Sequence, residues 1–401
     1  MINYLFFIIL LIFLLIVFIN LYIKYKFRFW SSQPVFHIYD FHYMFFQPGI
    51  LMHSLPEKNR YTNFKDIESI LFTNISDLKM KKFINFIQKN YLQNKDNIFN
   101  PNKENVIPYF KGHNSKCFFT FYYLDENLVD SKTSNIITNK KIAGVITSRP
   151  LHVKINNGNK NANFDIYYVD YLCVDKEYRK KGLAPEIIQT HEYNQRHLNK
   201  NISVSLFKRE GQLTGIVPLT IYSTYGFHVT KWHKPNELHS SYSIIQITSE
   251  NLHFLVDFLK TNNHLFDIVI IPDFSNILEV IKTNNIFIYV VIYQDKIICA
   301  YFFRKTSTFI ENDLEVLTCF SSINSSMNYS NIFIHSYKII FWKIAEKYNF
   351  GYAAIENVSH NYIIINNIML KTKPHVISPT AYFFYNFAYN RFKPEKTLII
   401  N

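Results

Sequence analysis

The hydrophobic positions of this chain begin with one unbroken block. Residues 4–23 are apolar except for Asn20, and twenty helical residues span about 30 Å, the thickness of a bilayer's hydrocarbon core. The block lacks the basic start and the small-residue cleavage site of a secretory signal peptide. The pattern predicts a transmembrane anchor over residues 1–25. Because Lys24, Lys26 and Arg28 follow the block and no basic residue precedes it, the positive-inside rule places the rest of the chain in the cytosol.

Beyond this block the spacing of apolar residues changes several times. Helical spacing predicts helices over residues 75–90, 186–198, 250–261 and 332–349. Runs of β-branched and aromatic residues predict strands over residues 116–124, 141–149, 164–174, 314–320, 350–356 and 380–388. Residues 286–303 are predicted to form strands around a turn at Asp295 and Lys296. The mostly polar residues 125–140 are predicted to form a hairpin loop.

The predicted elements occur twice in a similar order. Three strands precede a helix in the first half of the chain, and strands again precede a long helix after Trp232. This order is typical of the GNAT acyltransferase fold. The predicted fold class is α/β (α+β), with two GNAT-like halves in tandem around a saddle-shaped mixed β-sheet. The halves comprise residues 26–231 and 232–401, and the transmembrane helix precedes them.

Composition narrows the classes of function. The 401-residue chain has a formal net charge of +13, but its basic residues are scattered and form no arginine-rich stripe, which argues against nucleic acid binding. Phe and Tyr are abundant and Gly is scarce, which indicates a biased coding composition, so a single aromatic residue carries little functional information. The four cysteines form no C-x-x-C pair, which argues against a zinc or dithiol site and is typical of reduced cytosolic thiols.

One basic turn carries a chemical signal. Residues 179–184 read Arg-Lys-Lys-Gly-Leu-Ala, of the form R-x-x-G-x-A, between a predicted strand and a helix that begins near Leu183. Backbone N–H groups at such a turn, together with the positive end of a helix, bind anions. Gly182 allows close backbone approach, and three cations add charge suited to the pyrophosphate of coenzyme A. The same residues also fit an ordinary basic helix start.

Several segments resemble the N-myristoyltransferase family, in the order in which that family has them. Residues 29–35 are similar to its F-W-x-T-Q-P-V segment, residues 90–99 to its N-Y-V-E-D-D-D-x-M-F loop, and residues 141–150 to its K-L-V-G-F-I-S-A-I-P strand. Residues 171–174 and 179–185 are similar to its aromatic-Leu-Cys-Val strand and to the basic turn that ends in Leu-Ala-Pro. Residues 382–386 and 395–401 resemble its Y-Y-L-Y-N strand and its apolar tail more weakly.

The resemblance implies a monomeric enzyme that transfers a myristoyl group from myristoyl-CoA to the N-terminal glycine of proteins, without a metal. The predicted anchor, which is unlike the soluble members of the family, would hold this enzyme at a membrane. The acyl-CoA co-substrate would contact Arg28, Phe29, Trp30, Leu172, Cys173, Val174, Arg179, Lys180, Lys181, Gly182, Leu183 and Ala184. The protein substrate would contact Tyr91, Asp96, Phe99, His228 and Tyr382.

The resemblance also implies how the reaction proceeds. In the family, backbone N–H groups at a strand bulge form an oxyanion hole, and the matching residues are Tyr171 and Leu172. The family's base is the C-terminal carboxylate, which corresponds to Asn401. Because transfer is direct, Cys173 is expected to pack in the strand and not to act as a nucleophile.

Three departures from the family pattern leave the peptide preference open. Gly182 stands where the family has a cation, residues 93–96 read Gln-Asn-Lys-Asp instead of a carboxylate cluster, and residues 377–380 read Ile-Ser-Pro-Thr near an expected Gly-Asp-Gly turn. Two alternatives therefore stay open. One is a GNAT-type acyltransferase that uses another acyl donor, and the other is a non-catalytic membrane scaffold that keeps the fold.

Overall fold

The computed structural model describes residues 2–46, 48–93, 97–129, 136–157, 160–211, 215–229, 232–310 and 314–401. Within these residues the helices are α1 (Ile2–Lys26), α2 (Phe41–Phe45), α3 (Asp77–Asn90), α4 (Lys103–Val106), α5 (Leu183–Leu198), α6 (Leu252–Asn262), α7 (Phe274–Lys282), α8 (Ser330–Tyr348) and α9 (Asn361–Met369). The strands are β1 (Gly49–Ile50), β2 (Ile67–Leu71), β3 (Asn97–Phe99), β4 (Phe118–Val129), β5 (Ile136–Asn157), β6 (Lys160–Val174), β7 (Val204–Glu210), β8 (Thr220–His228), β9 (Tyr242–Gln246), β10 (Ile268–Ile271), β11 (Ile286–Tyr293), β12 (Lys296–Ile310), β13 (Leu314–Asn324), β14 (Phe350–Glu356), β15 (Val376–Tyr385), β16 (Phe387–Ala388) and β17 (Thr397–Ile399).

Fifteen of these strands form one large mixed sheet. Its main path follows the order β17-β10-β5-β6-β7-β15-β8-β14-β13-β12-β11-β9, β4 pairs with β5 and carries β2, and β3 pairs with β12. Most neighbours are antiparallel, but the pairs β6–β7, β13–β14 and β10–β17 are parallel. The predicted mixed α/β class is confirmed.

The same arrangement of elements occurs twice in this sheet. β4, β5 and β6 are antiparallel neighbours, α5 follows, and β7 returns parallel to β6. β11, β12 and β13 are likewise antiparallel, α8 follows, and β14 returns parallel to β13. A parallel return requires a crossover, and in both places a helix supplies it.

Each crossover helix buries an apolar face against its sheet. Leu183 and Ile187 of α5 pack into a cluster with Ala143 and Ile146 of β5. A side chain at Gly144 would collide with Ile187, so glycine permits the close approach of α5 to β5. In the second half, α8 packs Phe333, Tyr337, Ile340, Phe341 and Ile344 against the sheet at helical spacing.

The last residues of the chain form β17, the first strand in the order of the sheet, and they are buried. β17 runs parallel to β10, which pairs on its other side with β5. Leu398 and Ile399 are buried, and the N–H of Ile400 donates to the carbonyl of Ile270 at 2.8 Å. The sheet of the first half thereby continues into the second half.

The structure corrects part of the sequence prediction. The loop that was predicted over residues 125–140 is too long at both ends. β4 continues to Val129 and β5 begins at Ile136, so that Asp125 lies opposite Lys140. Opposite charges that face each other across the strands stabilise this extension. The turn between β11 and β12 lies at Gln294 and Asp295, one residue before the predicted position.

The first helix is long, apolar and exposed. The most apolar 18-residue window within residues 4–26 has a mean hydropathy of 3.1, and none of it is buried in the protein. By length and composition this helix is able to cross a membrane. It continues almost directly into a short 3-10 turn, Trp30–Ser32, that packs on the sheet.

Candidate active site

A crevice opens where two parallel strands separate. β6 and β7 pair from Ile166 opposite Val204 to Val169 opposite Phe207, and their pairing ends there. The carboxyl ends of parallel strands are where α/β sheets bind ligands. The β6–β7 crevice has a volume of about 460 Å³ and is mostly apolar, with walls formed by Trp30, Ile146, Tyr168, Leu172, Ile188, Glu192, Phe207 and Tyr385.

A β-bulge forms the mouth of this crevice. The register of β5 and β6 shifts so that Ile146 faces both Tyr171 and Leu172. Tyr171 has a φ of +50°, which is uncommon for an aromatic residue, and bulges of this kind redirect the backbone beside active sites. The N–H of Tyr171 donates to Oδ1 of Asp170 at 2.8 Å. The amide of Leu172 lies in the unpaired part of the bulge, and its side chain is exposed.

The predicted coenzyme A turn connects β6 to α5. Lys180 and Gly182 have positive φ, and a Cβ added to Gly182 would meet no atom within 4 Å, so the space in front of the helix start is open. The first N–H groups of a helix have no intrahelical acceptor, which suits an anion. The side chains of Lys180 and Lys181 are exposed at this point.

Two residues of the predicted acyl-CoA site, Arg179 and Cys173, make contacts within the protein. Arg179 donates from Nη2 to the carbonyl of Asn90 at 2.7 Å and from Nε to the carbonyl of Val174 at 3.2 Å, so it joins the turn to the end of α3. Cys173 is buried between β5 and α3. Burial raises the pKa of its thiol to about 12, which favours the unreactive neutral form.

The segment after α1 closes one side of the crevice. The ring of Trp30 stacks on Phe207 at a centroid distance of 5.6 Å, and Phe29 packs edge-on against Tyr61. Arg28 departs from the prediction, because its guanidinium stacks on Tyr25 of α1 at 4.8 Å and does not line the crevice.

A second cavity meets the crevice at the bulge. This central cleft has a volume of about 490 Å³ and shares Tyr168, Asp170, Tyr171 and Lys208 with the crevice. Tyr91 and Phe99, two of the residues predicted to contact the protein substrate, line it. The ring of Tyr91 lies 5.4 Å from Tyr171, and its hydroxyl donates to Asp170 at 3.4 Å.

The other residues predicted to contact the protein substrate are His228, Tyr382 and Asp96. His228 lies at the end of β8, where its Nε2 is 2.5 Å from the Tyr352 hydroxyl, and it does not line the central cleft. Tyr382 is buried, and its ring stacks on Tyr222 at a centroid distance of 6.0 Å. Asp96 lies outside the described residues.

An ionic cluster forms the floor of the central cleft. Glu356 accepts from Lys208 Nζ at 3.0 Å and from Arg304 Nη2 at 3.2 Å, and it also accepts from the Tyr222 hydroxyl. Burial by itself would raise the pKa of Glu356, but the two cations outweigh burial and lower it, so the carboxylate stays ionised.

The ionic cluster extends to the last residue. Asn401 is buried, and Arg304 Nη1 donates to its main-chain oxygen at 3.1 Å and to its side-chain oxygen at 3.4 Å. Sequence reasoning identified Asn401 but missed Asp170, Lys208, Arg304 and Glu356. For Lys208 and Glu356 a signal was available, because both lie near the carboxyl ends of strands that have parallel partners.

Among the described residues no group of His, Cys, Asp and Glu side chains is arranged to hold a metal. The arrangement instead offers an apolar crevice, a backbone bulge at its mouth and a charged cleft beyond, and the open turn before α5 suits an anion. This geometry suits an acyl chain attached to a phosphorylated carrier, with an acceptor that approaches from the cleft.

Known structures share this fold. Two crystal structures of Saccharomyces cerevisiae N-myristoyltransferase with bound myristoyl-CoA align with TM-scores of 0.69 and 0.71, each at 14% identity. The alignments cover 91% and 92% of this chain and 94% and 90% of those chains. The fold is therefore that of the N-myristoyltransferases.

The sequence comparisons agree with this fold. Residues 57–218 match the model of the myristoyl-CoA:protein N-myristoyltransferase N-terminal domain. A glycylpeptide N-tetradecanoyltransferase homologue of Amsacta moorei entomopoxvirus is 26% identical over 211 residues, which are 49% of this chain and 66% of that protein. The resemblance to the N-myristoyltransferase family, a family of acyltransferases, that was found in the sequence is confirmed.

Proposed function

We propose that this protein transfers a myristoyl group from myristoyl-CoA to the N-terminal glycine amine of protein substrates. The observation that carries the proposal is the meeting of the β6–β7 crevice and the central cleft at one bulge, Tyr171 and Leu172. An acyl chain in the crevice places its thioester at the same point that an amine reaches from the cleft. The family match supports the choice of myristoyl-CoA and a glycyl substrate.

Each part of the crevice has a role in this proposal. The acyl chain packs between Ile146, Ile188 and Phe207, and the Lys180–Lys181 turn with the start of α5 binds the phosphates of coenzyme A. The N–H of Leu172 donates to the thioester oxygen as negative charge develops there. The N–H of Tyr171 joins it once the Asp170 carboxylate, its present acceptor, turns away.

The base in this proposal is the carboxyl group of Asn401. It takes a proton from the glycine ammonium, and the free amine attacks the thioester carbon. The carbon–sulfur bond then breaks, and coenzyme A leaves as a thiolate that is reprotonated. Arg304 holds the carboxylate in place but also lowers its basicity, because a bound cation favours the ionised form.

The test uses the full chain in lipid nanodiscs with myristoyl-CoA and a peptide that begins with glycine. The matched control is the same peptide with an acetylated N-terminus, which offers no amine. Formation of myristoyl-glycyl peptide, detected by mass shift, supports the proposal. Transfer only from acetyl-CoA would favour a GNAT-type acyltransferase that uses another acyl donor. Binding of myristoyl-CoA with no transfer would favour a non-catalytic membrane scaffold. Either result contradicts the proposed activity.

We also propose that α1 anchors the protein in a membrane with the remaining chain in the cytosol. Exposed apolar side chains continue past the helix in Phe41, Phe45 and Phe46. Trp30, in the crevice wall, is the fourth residue after Lys26, where α1 ends. The crevice would therefore open near the bilayer surface, where a lipidated product partitions.

The anchor is tested by alkaline carbonate extraction of the full chain from membranes. We expect the protein to stay in the membrane pellet, and a Leu14→Asp, Ile16→Asp variant to be released into the supernatant. Release of the unaltered protein would contradict the anchor without bearing on the transferase proposal.

We infer further that residues 26–231 and 232–401 are two GNAT-like halves. The repeated order of three antiparallel strands, a helix and a parallel strand supports this division. In this view the first half provides the crevice, and the central cleft lies where the two halves meet.

A further inference from the structure

A third cavity lies in the second half of the chain, away from the active site. It has a volume of about 630 Å³ and lies between α8, the end of α9 and residues 232–235. Alternate residues of a strand point to opposite faces of a sheet. On β14, Ala354 and Glu356 line the central cleft, whereas Ala353 and Ile355 pack in the cluster under α8. The cavity, here termed the α8–α9 cavity, therefore lies on the other face of the sheet.

The wall of the α8–α9 cavity is aromatic and contains two unused donors. Trp232 packs on Phe341 at a centroid distance of 5.5 Å, and Trp342 is the next residue of α8. The indole N–H groups of Trp232 and Trp342 are shielded from solvent and have no acceptor among the described residues. A buried donor without a partner is unfavourable, so a ligand oxygen that accepts from it is stabilised.

The rim of the cavity carries like charges. Lys338 of α8 and Lys371, just after α9, both line it, and Lys338 Nζ donates to Asn367 Oδ1 at 2.8 Å. Burial, and then repulsion from Lys371, lower the pKa of Lys338, which shows that the two cations act on each other. Glu346 and His233 also border the cavity. The lysine pair gives one side of the rim a positive charge that an anion would neutralise.

We propose that the α8–α9 cavity binds a long-chain fatty carboxylate. The hydrocarbon chain lies along Phe341 and the ring of Trp232. The carboxylate lies near Lys338 and Lys371, where it also accepts from the indole N–H of Trp342, one helical turn after Lys338. A volume of several hundred cubic ångströms is typical of sites that enclose such small molecules. This second lipid site is separate from the crevice that serves transfer, and it does not depend on the proposed activity.

The three tryptophans of the chain make the site measurable. Trp30 lies at the crevice, and the other two, Trp232 and Trp342, line the α8–α9 cavity. A Trp30→Phe variant therefore reports on this cavity alone. The full-length variant, in nanodiscs of zwitterionic lipid, is titrated with bromine-labelled myristate while unlabelled myristoyl-CoA saturates the crevice. We expect saturable quenching of tryptophan fluorescence.

Three further variants locate the binding. Ala345→Phe fills the cavity and should abolish quenching, and a Lys338→Met, Lys371→Met double variant should weaken binding about ten-fold, the usual effect of losing charge-assisted contacts. Lys343→Met is the control, because Lys343 is exposed on the same helix outside the cavity. The methyl ester of the probe lacks the charge. The Trp30→Phe protein should therefore bind this ester as weakly as the double lysine variant binds the carboxylate.

Three outcomes would overturn the proposal. These are no saturable quenching, quenching that myristoyl-CoA displaces, and quenching that the Ala345→Phe and double lysine variants leave unchanged. Retained binding of myristoyl-CoA shows that each variant is folded. If Ala345→Phe fails that check, the double lysine variant decides the result.

Discussion

Glu192 places a carboxyl group in the wall of an otherwise apolar crevice. It lies on α5 beside Ile188, and its only ionic partner among the described residues, Arg196, is 3.8 Å away. Burial raises the pKa of Glu192 to about 7, and Arg196 offsets only part of this rise. The side chain is therefore neutral in mildly acidic solution and ionised in mildly basic solution.

The first prediction concerns the pH dependence of acyl-CoA binding. Because an acyl chain packs better against a neutral carboxyl group, myristoyl-CoA affinity should fall about five-fold between pH 7 and pH 8, as Glu192 ionises. Calorimetric titration of Glu192→Gln should show a much flatter profile. Glu177→Gln, an exposed residue of the preceding turn, should keep the profile of the unaltered protein.

Glu356 has the opposite environment, since two cations hold it ionised. Its replacement by Gln leaves Lys208 and Arg304 partly buried without their anion. We expect Glu356→Gln to destabilise the protein by about 3 kcal/mol, the usual effect of breaking a buried ion pair, and to lower the melting temperature clearly. Glu68→Gln removes only the exposed pair with Lys79 and should cost less than about 1 kcal/mol. Equal melting temperatures for the two variants would contradict the structural role of the cluster.

At the scale of elements, the width of the crevice depends on how closely α5 approaches β5. Gly144 is the contact point, since any side chain there meets Ile187. Gly144→Ala should therefore push α5 outward, with a loss of about 1–3 kcal/mol and weaker acyl-CoA binding. Gly226→Ala is the control, because a Cβ there meets Val376 only at ordinary contact distance, 3.6 Å. A second change, Ile187→Ala, should rescue Gly144→Ala in a thermal melt.

The turn before α5 permits a test of anion binding. A matched glycine elsewhere in the chain separates the effect of backbone strain from the loss of coenzyme A binding. Gly182 and Gly211 both have positive φ, near +88° and +86°, and both face open space. Substitution by Ala should destabilise each by about 1 kcal/mol, because an L side chain disfavours this conformation. Only Gly182→Ala should also weaken coenzyme A binding, measured by competition with myristoyl-CoA. Equal weakening by both would argue against a phosphate site at α5.

At the scale of the whole molecule, strand β17 pairs with β10 and brings the last residue beside the ionic cluster. Asn401 meets Arg304 there, and the cluster that Arg304 shares with Glu356 borders the central cleft. Residues appended after Asn401 remove its carboxylate. We expect such an extension to abolish transfer while myristoyl-CoA still binds, whereas the same extension at the N-terminus should leave transfer intact. Transfer at an unchanged rate would exclude Asn401 as the base.

The sequence predicted much of the fold but not all of its strands. The helices near residues 75–90, 186–198, 250–261 and 332–349 were predicted closely, since each has a clear amphipathic period. β10, Ile268–Ile271, was missed because a short continuous apolar run has no period. β7, Val204–Glu210, was missed because its last residues are polar and line the crevice and the cleft. These polar residues interrupt the alternation of apolar and polar positions that identifies a half-buried strand.

Contiguous residues by themselves determined the apolar first helix, the strand that ends at Val174 and the Gly182 turn, because hydrophobic patterning and helix-end chemistry are local. The tertiary structure alone decided that Arg179 binds main-chain carbonyls. It also joined Lys208 to Glu356, 148 positions later, and Arg304 to Asn401, 97 positions later. Those partners depend on which strands become neighbours. Strand order is set by the burial of the whole sheet, which no single segment encodes.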